Sequence, residues 1–101
     1  MNQEIYNELK NRIFEKLGRN NIIVTSRVNV IIDRILMDSV NRMEKEKRIT
    51  KEDIEIAKGS FDKLIEYTLS NVIPLRENQD IIIYEALSLS LNKLCPLWPI
   101  C

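Results

Sequence analysis

Apolar residues recur at steps of three and four through most of this 101-residue chain. That spacing lines one face of an α-helix. Over residues 3–17 the face is Ile5, Tyr6, Leu9, Ile13 and Leu17, and Gly18 with the polar "GRNN" is expected to stop the helix. "IIV" at 22–24 is apolar and β-branched and predicts a short extended approach, after which Thr25 or Ser26 offers an N-cap. A second helix is expected over about 26–47. Its apolar positions are Val28, Ile31, Ile32, Ile35, Leu36, Val40 and Met43, with Val30 and Met37 outside the stripe. So wide a stripe predicts a central helix packed on more than one neighbour.

The third helix is expected over about 51–72, behind Thr50. The Thr50 hydroxyl can accept the backbone N–H of Asp53 while the Asp53 carboxylate reaches back, a variant of the capping box. Glu52 and Asp53 also stand where the helix dipole favours negative charge. Ile54, Ala57, Phe61, Leu64, Ile65, Thr68 and Val72 make the stripe, and Pro74 ends it by biasing residue 73 away from helix. Asn78 or Asp80 can cap a fourth segment, "IIIYEALSLSLNKL". Here Tyr84, Leu87, Leu91 and Leu94 fit a helix, while "ALSLSLN" alternates as a strand does. Length and the lack of a partner strand favour a helix over about 80–94. "CPLWPIC", 95–101, carries two prolines and reads as an irregular tail. The prediction is one all-α domain over 1–101: a small four-helix bundle with a central second helix and a proline-containing C-terminal tail.

Composition narrows the chemistry. Lys plus Arg is 15 and Asp plus Glu is 15, a net charge of zero that argues against a generic polyanion binder. Histidine is absent, which removes the commonest general base and any Ser-His or Cys-His nucleophile pair. Gly18 and Gly59 stand too far apart for a phosphate loop. Most carboxylates have Lys or Arg beside them. Asp33 is the least ordinary, flanked by Val30, Ile32 and Ile35, at the stripe's edge where it can pair with Arg34 or a Lys elsewhere. Cys95 and Cys101 do not make a disulfide framework, and zinc would need two further ligands from carboxylates alone. No enzyme, metal or cofactor is expected. The polar start "MNQEIYNELKNRIFEK" does not read as a secretory signal, so a cytoplasmic protein with reduced thiols is expected.

"KRITKEDIEIAKGSF", Lys47 to Phe61, resembles the second loop and third helix of the histone fold. Upstream, "NRIFEKLG" resembles the end of a first histone helix and "IVTS" the first loop. The resemblance implies a dimer in which Ile23, Val24 and Thr25 pair with Arg48, Ile49 and Thr50 of the partner subunit. Arg19, Arg27, Lys47 and Arg48 would then lie near DNA phosphates. The chain departs from that pattern between Val24 and Thr50, which hold about two helical turns fewer than the long central histone helix. Residues 42–58 also carry six basic and five acidic side chains, few unopposed cations for a DNA surface.

The C-terminal end differs from the rest. Of 30 charged residues only Glu85 and Lys93 lie beyond Asp80, and 14 of the last 21 residues are apolar, aromatic or cysteine. No uncharged apolar run reaches the 18 residues of a membrane span. The segment either completes the core or docks on another subunit, with Trp98 as an anchor. The expectation is a non-catalytic protein–protein interaction or oligomerisation module, a small helical adaptor or subunit. Its contact residues would be Ile82, Tyr84, Leu87, Leu91, Leu97 and Trp98, with Ile56 and Tyr67 as a second patch. Its partner would be itself, as a homodimer, or another protein. The histone-like DNA-binding dimer is the alternative, disfavoured by the zero net charge.

Overall fold

Four helices form among the residues that the computed structural model describes, 2–70, 79–94 and 98–100. They are α1 (Gln3–Arg19), α2 (Ser26–Lys45), α3 (Lys51–Ser70) and α4 (Gln79–Leu94). Val72, Pro74, Asn78, Cys95, Leu97 and Cys101, and with them the predicted end of the third helix, lie outside the described residues. Asp80 is already inside α4 and is not its cap.

Short polar side chains start the first three helices by accepting backbone N–H groups that have no partner within the helix. Asn2 Oδ1 accepts from Glu4 and Ile5 at 3.1 and 3.3 Å. Thr25, rather than Ser26, caps α2, its hydroxyl accepting from Val28 at 3.5 Å. The predicted box at α3 is reciprocal: Asp53 N–H donates to Thr50 Oγ1 at 3.2 Å, and Thr50 N–H to Asp53 Oδ2 at 3.3 Å.

The ends of α1 and α2 correct two expectations. Gly18 does not stop α1; it lies inside the last turn, and Asn21 takes the left-handed conformation at φ 60°. Ile22 N–H then bonds Leu17 C=O and Asn21 N–H bonds Gly18 C=O, both at 3.0 Å. This is a Schellman end, with asparagine where glycine is commoner. α2 repeats it two residues before the predicted boundary at 47. Lys47 is left-handed at φ 58°, Arg48 N–H bonds Met43 C=O at 2.8 Å and Lys47 N–H bonds Glu44 C=O at 3.1 Å.

Each helix packs on two others, in the ring order α1–α2–α4–α3. α2 therefore packs on more than one neighbour, as predicted, and so does every other helix. α1 and α3 run the same way, because Glu8–Lys58, Arg12–Asp62 and Lys16–Glu66 each join residues fifty apart. α3 and α4 run oppositely, as the Thr68–Ser90 bond and the Ser60–Trp98 bond show by stepping up one chain and down the other. α2 and α3 are diagonal to each other despite being joined by only residues 46–50. That connection crosses one end of the bundle, and the tail returns to it.

The stripes of α1 and α2 are buried as predicted, and the described residues of the α3 stripe are buried apart from half-buried Ile54. Val30 and Met37 are 64% and 47% exposed, also as predicted. In "IIV", Ile22 and Val24 pack on the core while Ile23 points outward. α4 is a helix, but its inward face is Ile83, Ala86, Leu87 and Ser90, and Tyr84 is exposed. The alternating serines fit a helix because each hydroxyl bonds a carbonyl one turn back: Ser88 to Tyr84 at 3.0 Å and Ser90 to Ala86 at 2.7 Å.

Candidate interaction surface

Helix α4 is apolar on nearly every side, so packing one face into the bundle leaves others at the surface. Two open grooves flank it. The α3/α4 groove encloses about 400 Å³ between Tyr67, Ile82, Ala86, Leu89 and Ser90, with Glu85 and Lys93 on its border. The α2/α4 groove encloses about 370 Å³, with Val30, Tyr84, Leu91 and Ile100 among its walls.

The predicted contact residues divide three ways. Leu87 belongs to the core, and Leu91 packs half-buried against it while lining the α2/α4 groove. Ile56 and Tyr84 are exposed, and Ile82 and Tyr67 line the α3/α4 groove half-buried. Trp98 lies against its own chain. Its indole N–H donates to Glu46 at 3.0 Å, its carbonyl accepts from the Ser60 hydroxyl, and the Arg48 guanidinium stands 4.9 Å from the ring centre. The indole bond, with Arg42 beside it, holds the Glu46 carboxyl below the usual carboxylate range. Ile100 is buried in the same core. Leu89, not singled out by the sequence reading, is 66% exposed beside Ile82. Its place on the outer flank follows only once the inward face of α4 is known.

The four cations of the DNA reading are not brought together. Arg19 pairs with Glu15, and Arg48 lies on Trp98. Arg19 and Arg27 are at one end of α2, Lys47 and Arg48 at the other. Twenty helical residues span about 30 Å. α2 is no longer than α3, and each has 20 residues.

Asp33 is a link between helices. It accepts from the Tyr6 hydroxyl and lies 3.7 Å from Lys10, whose ammonium also covers the Tyr6 and Phe14 rings. Burial pushes the Tyr6 phenol up to about 12, and the Asp33 carboxylate adds to the shift. Among the described residues, no three His, Cys, Asp or Glu side chains converge as metal ligands would. No helix of the described residues is long and apolar enough to cross a membrane. Compared with protein-family models, curated proteins and solved structures, the chain matches none of them.

Proposed function

We propose that this protein is a non-catalytic interaction module that associates with itself through the apolar surface beside α4. One observation carries the reading: the bundle closes its core within one chain, yet Tyr84 and Leu89 remain exposed on opposite flanks of the same helix. Val30, which lines the α2/α4 groove with Tyr84, extends the apolar surface onto α2. Apolar side chains grouped along an open groove, as Leu89 is with Ile82 and Tyr84 with Val30, mark association sites. The flanks, rather than Leu87 or Trp98, are the part of the C-terminal segment available to a partner.

Light scattering on protein separated by size, across a range of concentrations, tests it. The expected result is a mass above that of the 11.9 kDa chain, rising with concentration. Tyr84→Lys or Leu89→Lys, at least one of them, is expected to return the monomer mass with an unchanged helical circular dichroism spectrum. A monomer mass for the unaltered chain at every concentration would overturn self-association.

A further inference from the structure

We propose that two copies of this chain meet across α4, with Leu89 on the twofold axis and Glu85 of each copy against Lys93 of the other. The inference rests on the self-association proposed above and names its contact. Glu85, Leu89 and Lys93 follow one another at steps of four residues, so they form one ridge along the helix. The ridge is about 12 Å long from end to end. Leu89, its midpoint, is 66% exposed. Glu85 and Lys93 are exposed as well, and neither is paired with another described residue. They are also the only charges in the chain beyond Asp80.

A twofold contact is self-complementary: whatever residue i touches on the second copy, that residue's counterpart touches i in return. An anion and a cation equidistant from an apolar midpoint meet this condition. Rotating the ridge about Leu89 places Leu89 on its own copy, and each Glu85 opposite a Lys93. Two ion pairs then flank one apolar contact, with no net charge at the interface. Ridges of this four-residue type pack into each other at a crossing of about −50°. Ile82, half-buried beside the ridge in the same groove, adds apolar wall to the contact.

The α2 surface is less suited to the same operation. Arg34 and Asp38 there are also an opposite pair, one turn apart. The axis that matches them, however, sets Arg27 toward Lys45 of the second copy, because both lie nine residues from the midpoint. Like charges oppose that arrangement.

Charge reversal with mixing tests the contact. In Glu85→Lys every cross-pair is Lys against Lys, and in Lys93→Glu every pair is Glu against Glu. Each variant alone is expected to self-associate at least tenfold more weakly than the unaltered chain. Mixed in equal amounts they are expected to form a heterodimer near the original affinity, and the double reversal in one chain is expected to recover as well. Analytical ultracentrifugation gives the affinities, and native mass spectrometry identifies the heterodimer. Circular dichroism confirms that the variants remain folded. If the unaltered chain self-associates and neither reversal weakens it, or the mixture fails to recover, the Leu89-centred contact is wrong while self-association stands. If the unaltered chain is monomeric throughout, both proposals fall.

Discussion

Lys47 holds the left-handed backbone at φ 58°, where a Cβ is crowded by the following carbonyl. The Schellman bonds at the end of α2 hold it there. Asn21 does the same for α1 with a side chain better suited to that region. Lys47→Gly removes the crowding but adds freedom to the unfolded chain, and is expected to stabilise by about 0.5–1 kcal/mol. A urea unfolding midpoint that falls instead would mean the turn is not left-handed. At the next helix start, Thr50→Ala takes the acceptor from Asp53 N–H and is expected to cost about 1 kcal/mol, with Asp53→Ala equal or smaller. Unchanged midpoints in both would place the start of α3 elsewhere.

Between elements, the α1/α3 edge shows how charge selects a register. In order, Glu8, Arg12 and Lys16 face Lys58, Asp62 and Glu66. A slip of one turn sets Arg12 against Lys58, or in the other direction Glu8 against Asp62. Exposed pairs contribute only about 0–1 kcal/mol each, so the ladder opposes wrong registers more than it adds stability. Arg12 and Asp62 form its best-defined member, with two parallel bonds of 3.0 and 2.7 Å. Their bond holds the Asp62 carboxyl below the usual carboxylate range, with partial burial opposing and Lys16 assisting. A carboxyl depressed in the folded state contributes stability above its unfolded pKa, near pH 4, and loses it as pH falls through the folded value. Asp62→Asn is therefore expected to cost about 0.5–1 kcal/mol at neutral pH. The gap between variant and unaltered chain should close below about pH 4. Thermal melts across that range measure it, and a constant gap would show that the bond is not ionic.

At the scale of the whole molecule, the diagonal connection 46–50 and the returning tail close one end of the bundle. The sequence alone leaves the C-terminal segment either as core or as a docking site, and in the second case Trp98 is the anchor, with Trp98→Ala weakening association more than folding. The geometry points to the opposite order of effects, because the ring and its N–H are engaged by Arg48 and Glu46 of the same chain. Losing a half-buried ring, a hydrogen bond and a stacked cation is expected to cost about 2 kcal/mol of stability in Trp98→Ala. Trp98→Phe keeps the ring and is expected to lose about half of that, on the order of the hydrogen bond alone. Neither should change the self-association constant more than two- or threefold, about the scatter of distant substitutions. Association lost in Trp98→Ala at unchanged stability would return the tail to the interface.

What could be read from the sequence is what neighbouring residues decide among themselves. The stripe of α2 from Val28 to Met43, the outward Val30 and Met37, and the Thr50–Asp53 box all depend on residues within a few positions of each other. Periodicity and capping act over that range. α4 escaped such a reading because "IIIY" and the leucines after it are apolar in every direction, so no one-sided stripe marks the inward face. Gly18 misled for a related reason: local permissiveness favours glycine at the stop, but the packing of Ile22 and Leu17 sets it at Asn21. The α1/α3 ladder and the return of Trp98 to Glu46 join residues about fifty positions apart, and the ring order of helices and the exposure of Leu89 likewise depend on residues on other helices. Only the folded chain could decide these, because competition for one core settles which of several apolar faces is covered.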